Sequence, residues 1–407
     1  MIALLGLVVV TSVSTQQLPD EIRAAVLDLR VQEALQFVDE HEDGAAQFLR
    51  EIAGIISPSG QEHDRAAAVA ARMRAIGLHD VRVDEGPNAV GRIPGRSGQV
   101  VVLISTLDDL ATVAEHQRAS GRPPTITDDR VVGPGTNTSL STAAVVTAAE
   151  ALIRSGVQSE HGLVFAAVAQ EETGLVGMHR VYDQFHDSAV AFIDVLGDGH
   201  SISYGAIGIH WWHVIARGPG GHTLSGGVPN VNQAIGRAVD RILSLPDARR
   251  DDTTRTRINV AVLNSGVVFN HKPDSGWFSL DIRSLEAAVI AGIERDVRDI
   301  LQEVSEETSI ALEMQAFQLT PGGQLPGAAQ SRLVRTASET ARYFGYEPTL
   351  SNSGSSNMNV AIGGGSPAIG LGGGRGGSRG QPDEWADRGA LLRTAKFVTL
   401  LAAALGR

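Results

Sequence analysis

Two adjacent carboxylates, Glu171 and Glu172, directly follow an apolar run at residues 164–168. Such a run is typical of a strand that is buried on both faces of a parallel sheet, and ligands gather at the carboxyl ends of these strands. Adjacent carboxylates repel each other unless a cation or a proton lies between them. The pair therefore indicates a general base beside a metal ligand, and the alternative is a solvated acidic pair at a strand end.

The surrounding segments have the pattern of an α/β protein. Apolar positions recur at helical spacing over residues 18–56 and again over 61–76, where Gly77 ends the pattern. Buried-strand patterns at 100–104 and 190–193 also end in polar residues. A glycine-rich turn at 133–139 leads into an apolar helix predicted over 143–153. These elements can present several polar side chains at one sheet edge.

Composition limits the class of protein. A chain of 407 residues exceeds what one hydrophobic core usually supports, so we expect two domains. The formal net charge of −12 argues against a nucleic-acid partner, since phosphate binding needs a basic face. The chain has no cysteine, so any metal must be held by His, Asp or Glu. No run beyond the N-terminus approaches the ~20 apolar residues of a membrane-spanning helix.

The N-terminal residues 1–17 have some features of a signal peptide. An apolar run over residues 1–10 is followed by small residues, but a basic segment before the run is missing. Export and a cytoplasmic location both remain open.

The order of these motifs resembles the di-zinc exopeptidase and aminoacylase family of metallopeptidases, which includes tripeptide aminopeptidase and glutamate carboxypeptidase. The resemblance extends over nearly the whole chain. The matching segments are the strand end at 105–109, the Gly-x-Gly turn at 133–138, the Glu171–Glu172 pair, the strand end at Asp194, the glycine-rich turn at 218–223, the Gly266 to Asn270 signature, the strand end at Arg283, the loop at 352–359 and Glu384–Trp385.

The resemblance implies an α/β fold with a phosphorylase/hydrolase-like catalytic domain, whose mixed sheet is flanked by helices, and an inserted lid domain that is an α/β sandwich. We expect the catalytic domain to comprise residues 18–206 and 319–407, and the lid to comprise residues 207–318. In the family the lid also forms the dimer, so a homodimer is expected.

In the family, the residue at the position of Glu171 is the general base. The residues at Glu172 and Asp194 bind metal, and the residue at Asp108 orients a metal-binding imidazole. The resemblance therefore implies that Glu171 and Asp108 are catalytic and that Glu172 and Asp194 are metal ligands.

Further roles implied by the resemblance fall in the predicted lid. His222 is expected to stabilise the oxyanion of a reaction intermediate in the partner subunit. Asn270 and Arg283 are expected to bind a substrate carboxylate, the arginine as a bidentate partner. On residue type alone, a histidine in a glycine-rich loop and an arginine at a strand end are more often plain turn and surface residues.

Several family ligand positions hold other residues here. Thr106 and Gly380 stand where the family has histidine, and Thr138 stands where it has the carboxylate that bridges both metals. Asn357 replaces the usual aspartate of its loop, and Arg379 could fill the volume of the missing histidine. We count Asn357 and Arg379 as candidate substrate-binding residues.

These replacements leave two carboxylates as metal ligands, too few for a normal zinc site. We expect no tightly bound cofactor, although a single divalent cation remains possible. Without metal charge the converging carboxylates should raise the pKa of Glu171. The sequence favours a hydrolase relative that acts on a small amide or short peptide with a carboxylate, and the alternative is an inactive ligand-binding or oligomeric interaction protein.

Overall fold

The computed structural model describes residues 20–246 and 251–407, so the signal-peptide prediction for residues 1–17 lies outside the described residues. The helices are α1 Asp20–Val26, α2 Leu29–Glu40, α3 Glu42–Ala53, α4 His63–Ala75, α5 Ala111–Ser120, α6 Thr136–Arg154, α7 Val176–Phe185, α8 Val231–Leu243, α9 Ala287–Thr308, α10 Arg332–Tyr343, α11 Met358–Gly363 and α12 Arg388–Leu405. The strands are β1 His79–Val83, β2 Ala89–Ile93, β3 Val100–Thr106, β4 Thr125–Ile126, β5 Arg130–Val132, β6 Gly162–Val168, β7 Ala189–Val195, β8 Ser201–Ser203, β9 Gly205–Ala206, β10 Gly208–Arg217, β11 Gly221–His222, β12 Arg257–Asn259, β13 Leu263–Ser265, β14 His271–Lys272, β15 Ser275–Ser284, β16 Ala311–Thr320, β17 Gly323–Gln324, β18 Thr349–Ser351, β19 Ala368–Gly372, β20 Gly376–Gly377 and β21 Trp385–Asp387.

The predicted buried strands lie together in one mixed sheet of eight strands, in the order β1-β2-β6-β3-β7-β19-β8-β18. Strand β3 pairs in parallel with both β6 and β7, and every residue of β3 and β6 is buried. Antiparallel pairs join β1 to β2, β2 to β6 and β19 to β8. The carboxyl ends of β3, β6 and β7 therefore meet at one edge of the sheet, which is where their polar residues converge.

Helices cover both faces of this sheet. Apolar residues of α2, α3, α6 and α12 form the core on one face, and residues of α7 and α11 form a second core on the other. Helix α6 is buried along nearly its whole length because it packs against α2, α3, α12 and the sheet. This explains why its sequence is apolar or small on all sides instead of amphipathic.

A second sheet, separate from the first, is antiparallel and has the order β12-β15-β10-β16, with β13 also paired to β15. Strand β15 alternates between buried and partly exposed residues, as expected when one face packs on helices. Helices α8 and α9 supply that cover, with Val214, Phe278 and Ile293 in the shared core. The fold is thus a mixed α/β catalytic-type unit with an inserted α/β sandwich, while the exact domain limits at 206/207 and 318/319 stay a prediction.

A buried ion pair anchors the loop that follows β3. The Arg65 guanidinium lies 2.6 Å from the Asp109 carboxylate, and both side chains are almost completely buried. Arg65 also donates to the carbonyl of Leu107, and the carbonyl of Ser57 accepts from the amide of Asp109. Because a buried pair of this kind is favourable only with such additional hydrogen bonds, it holds this loop in one conformation.

None of the helices in residues 20–246 and 251–407 has the length and apolar character needed to cross a membrane.

Candidate active site

Asp108 holds the turn that carries the two adjacent glutamates. Its Oδ1 accepts a hydrogen bond from the amide of Glu171 at 2.9 Å, and its Oδ2 accepts from the amide of Glu172 at 3.1 Å. The hydroxyl of Ser59 donates to the same Oδ2 at 2.6 Å. The position expected to orient an imidazole thus orients the backbone of the glutamate pair, a role that sequence reasoning missed.

The residue before this pair has an unusual backbone conformation. Gln170 has a φ of 56°, in the left-handed region that side chains other than glycine rarely adopt. Its amide donates to Oε1 of the buried Glu62 at 3.0 Å, and its side chain donates to the carbonyl of Gly86 at 3.1 Å. These contacts stabilise a sharp change of direction after β6, and strained backbone of this kind is concentrated at functional sites.

Helix α6 begins at Thr136, seven residues before the predicted start at Ala143, so Thr138 lies in its first turn. The amide of Asn137 donates to the carboxylate of Glu384 at 2.8 Å. A carboxylate there satisfies a free helical N–H and interacts favourably with the helix dipole. The extension could not be predicted locally because the residue that stabilises the helix start lies 247 positions away.

Asp194, at the end of β7, is fully buried within a network of amides. Its Oδ2 accepts from the amide of Met358 at 3.3 Å, and Nδ2 of Asn357 lies 3.5 Å from its Oδ1. The same Nδ2 donates to the hydroxyl of Thr106 at 3.1 Å. Asn357 therefore links the ends of β3 and β7 from a fully buried position beneath the surface.

A cavity of about 280 Å³ opens between this edge of the central sheet and the second sheet. It is large enough for a small molecule and has both polar and apolar walls. Its lining residues are Thr106, Thr138, Ser141, Glu171, Glu172, Leu175, Leu196, Ile209, Trp211, Gln318, Thr320, Ser355, Ser356, Arg375 and Arg379.

Two arginines from the loops around β20 contribute positive charge to this cavity. Arg379 lies 3.3 Å from the carboxylate of Glu172, so the sequence-predicted arginine does reach the acidic cluster. Arg375 lines the same cavity but was not singled out from the sequence. Its position in a glycine-rich segment, four residues before Arg379, was the available signal.

The cavity changes the ionisation of its own groups. Burial, together with the negative charges of Glu172 and Asp194, raises the pKa of Glu171 to about 8, while Arg379 opposes the shift. Burial also raises the pKa of Glu172 and of Asp194. This is the direction expected for carboxylates that converge in a partly enclosed site.

The pKa of Arg375, which lines the same cavity, shifts downward. Burial, together with the positive charge of Arg379, lowers the pKa of Arg375 to about 10. At neutral pH its guanidinium still carries a full positive charge.

None of the three predicted lid residues, His222, Asn270 and Arg283, lines the cavity of its own chain. Nδ2 of Asn270 lies 3.2 Å from Nε2 of His222, so these two residues do meet each other, at the two-stranded pair formed by β11 and β14. Arg283 instead forms an ion pair with Asp281 at 3.0 Å, two residues away on the same strand.

Thr106 and Gly380 are two of the positions at which the sequence analysis expects a family metal ligand to be replaced. The hydroxyl of Thr106 is already an acceptor for Asn357, and Gly380 has a φ of 77°, which is strained for a residue with a side chain. In the part of the chain that the structure describes, no three His, Cys, Asp or Glu side chains are grouped in a way that could hold a metal ion. Glu172 and Asp194 are the two candidate ligands that remain near the cavity.

Two curated proteins are similar to this chain over much of its length. A succinyl-diaminopimelate desuccinylase from Corynebacterium glutamicum is 25% identical over 292 residues, which is 69% of this chain and 75% of the relative. Carboxypeptidase G2 from a Pseudomonas species is 24% identical over 307 residues, which is 71% of this chain and 72% of the relative.

Solved structures show the same fold. Aminopeptidase PepT from Bacillus cereus matches with a TM-score of 0.73 and 19% identity, covering 90% of this chain and 99% of that protein. A tripeptidase from Staphylococcus aureus matches with a TM-score of 0.73 and 19% identity, covering 89% and 98% of the two chains.

The sequence model of peptidase family M20/M25/M40 matches residues 109–404. This range contains the glutamate pair, the whole second sheet and the arginine loops of the cavity. With both the motif order and the fold in agreement, the protein belongs to peptidase family M20/M25/M40, a family of metallopeptidases and aminoacylases.

Proposed function

We propose that this peptidase-family protein hydrolyses a small amide or short peptide that carries a carboxylate, with Glu171 as the acid–base group. The observation that carries the proposal is the position of the Glu171 carboxyl group. It lies on the wall of the cavity, and within the described residues it has no hydrogen-bond or ion-pair partner. A free acid–base group with a pKa near the working pH is suited to proton transfer.

The reaction requires one proton to move twice. Glu171 takes a proton from a water molecule as the water oxygen attacks the amide carbon. Glu171 then gives that proton to the amide nitrogen as the carbon–nitrogen bond breaks. With a pKa of about 8, a fraction of Glu171 is ionised at neutral pH and can begin this cycle. Arg379 beside the glutamate pair is placed to stabilise negative charge at the carbonyl oxygen.

Two arguments support a substrate with a carboxylate. The similar proteins are named a succinyl-diaminopimelate desuccinylase and a carboxypeptidase. In addition, Asn270 and Arg283 match the family positions that bind such a group. Since neither residue lies on the cavity wall of its own chain, we propose that the lid of a partner subunit presents them.

We also propose that the protein forms a homodimer through its second sheet. Val267, Val268 and Phe269 form an exposed apolar loop next to Asn270. An apolar loop of this kind is typical of an interaction surface. In a dimer this surface would bring His222 and Asn270 towards the cavity of the other subunit.

The residues present do not fit a pair of zinc ions. Thr106, Thr138 and Gly380 offer no imidazole or carboxylate, and Glu172 is already paired with Arg379. We therefore write no step through a metal, and a single divalent cation held by Glu172 and Asp194 is the remaining possibility.

The same replacements favour a second candidate function. Three of the family's metal-binding positions have lost their ligand chemistry, so the protein would then be an inactive relative that binds a carboxylate-bearing ligand or acts as an oligomeric interaction protein. Catalytic measurements separate the two candidates.

Glu171→Gln should reduce hydrolysis of small N-acyl amino acids and tripeptides by roughly a hundredfold or more, because the amide side chain cannot carry the proton. The matched control is Glu85→Gln, whose side chain is 90% exposed and should leave activity unchanged. If wild-type protein cleaves none of a broad amide library, the hydrolase proposal is wrong.

Glu171 should also make stability depend on pH. Its carboxyl group stays protonated in the folded state up to a pH of about 8 but ionises near pH 4.5 in the unfolded chain. The folded state therefore binds the extra proton, and stability should fall as pH rises across this window, by up to about 1.4 kcal/mol per pH unit.

Urea unfolding of wild type and Glu171→Gln at several pH values measures this effect. As the pH rises from 4.5 to about 8, the free energy of unfolding of the variant should increase relative to that of wild type. Above that range the difference between the two proteins should stay constant. A difference that is the same at pH 5 and pH 8 would show that Glu171 is ionised throughout.

Protein purified without added metal should not retain two zinc ions per chain after dialysis against a chelator, because two carboxylates bind zinc weakly. Elemental analysis provides the measurement. The variant Thr106→His/Thr138→Asp, which restores two family ligands, should bind zinc more tightly than wild type. Two zinc equivalents in the wild-type protein would mean that other residues have replaced the lost ligands.

Phe269→Glu should convert the proposed homodimer into a monomer, since a charge at the centre of an apolar contact is costly to bury. Analytical ultracentrifugation measures the change. Leu29→Glu, on the catalytic-type unit and 71% exposed, is the matched control and should remain dimeric. A wild-type protein that sediments as a monomer contradicts the proposal.

A further inference from the structure

Arg375 is a charged group of the cavity that has no direct partner. It lies between β19 and β20, half-buried, and its side chain forms neither a hydrogen bond nor an ion pair with any other described residue. Arg379 on the same wall differs, because it pairs with Glu172 at 3.3 Å. Holding an unpaired guanidinium in a partly buried position costs free energy, so a ligand that pairs with it would be bound favourably.

Of the carboxylates near Arg375, that of Glu171 has no hydrogen-bond partner among the described residues, whereas those of Asp194, Asp108 and Glu384 are occupied by other donors. Asp194 accepts from Met358 and Asn357, and both oxygens of Asp108 accept from the amides of the glutamate turn. The two oxygens of Glu384 accept from the amides of Asn137 and Gly380. Arg375 therefore contributes long-range positive charge to this acidic cluster but no direct hydrogen bond.

A second unpartnered group faces the same cavity. Ser141 of helix α6 is 1% exposed, and its hydroxyl has no hydrogen-bond partner among the residues that the structure describes. It lines the cavity together with Thr138, which lies in the first turn of the same helix. Buried hydroxyl groups are nearly always hydrogen-bonded, so an exception that lines a cavity indicates a missing oxygen or nitrogen atom.

We propose that Arg375, with Ser141 and the neighbouring Arg379, forms a subsite that binds the anionic oxygens of a small carboxylate or phosphate group. This subsite would hold the anionic end of the substrate inside the cavity, in addition to the contacts proposed for Asn270 and Arg283 of a partner subunit, and in that respect it rests on the proposed function. The cavity of about 280 Å³ limits the bound ligand to a small molecule. The guanidinium supplies two parallel N–H donors, which match the oxygens of either anion.

Isothermal titration of the full-length protein with inorganic phosphate, and separately with glutarate, tests the subsite. Arg375→Gln should weaken binding of the preferred anion at least tenfold. Arg217→Gln is the matched control, since this arginine lies on the second sheet in an exposed ion pair with Glu313. This variant should bind the anion as tightly as wild type does. Arg375→Lys, which keeps the charge, should retain part of the affinity and covers the case in which the glutamine variant does not fold.

The two ligands also identify the source of the anion. Tighter binding of phosphate indicates a phosphorylated ligand, and tighter binding of glutarate indicates a carboxylate. Ser141→Ala should weaken the preferred anion several-fold, since it removes one hydroxyl donor. The proposal is overturned if neither anion binds the wild type at millimolar concentration, or if Arg375→Gln binds as tightly as wild type.

Repeating the titration with Glu171→Gln separates this proposal from the proposed function. If the subsite exists, that variant still binds the anion even when no amide is hydrolysed by either protein. Anion binding by a wild-type protein that hydrolyses no amide contradicts the hydrolase alone, whereas hydrolysis by a wild-type protein that binds no anion contradicts the subsite alone.

Discussion

Mutual repulsion among carboxylates is the constraint on which the site depends. The topology of the central sheet places Asp108, Glu171, Glu172 and Asp194 at one edge, because β3, β6 and β7 run parallel and end there. Each negative charge must be neutralised, hydrogen-bonded or protonated. The chain uses all three solutions: Arg379 pairs with Glu172, backbone amides satisfy Asp108 and Asp194, and Glu171 keeps its proton to a higher pH.

The same constraint bears on the positions at which the sequence analysis expects metal ligands to be replaced. Threonine and asparagine side chains stand at the strand ends and bond to one another, as Asn357 does with Thr106. These neutral groups donate hydrogen bonds where imidazoles and carboxylates would supply lone pairs to a cation. With two arginines on the wall, the fold of a metallopeptidase can hold its acidic cluster by means of protein charges alone, which agrees with the function that we propose.

The parts of the structure that could be predicted from sequence are those set by local pattern. Apolar runs such as 100–104 and 164–168 identified the buried strands, and the acids that follow them were placed correctly at the sheet edge. What could not be predicted depends on contacts between distant residues. Three such features are the capping of α6 by Glu384, the link from Asn357 to Thr106 and the presence of Arg375 on the cavity wall. None of them produces a periodic pattern in the sequence, because each arises only when two remote segments meet.

The hydrogen bond from Asn137 to Glu384 also bears on the cost of assembling the cavity. It joins the start of α6 to the loop between β20 and β21, 247 positions later, and that loop carries Arg379. Closing a connection over so many residues costs loop entropy, and proteins dominated by such distant contacts fold slowly. The positive side of the cavity therefore depends on a contact between remote segments, whereas the acids are brought together by neighbouring strands of one sheet.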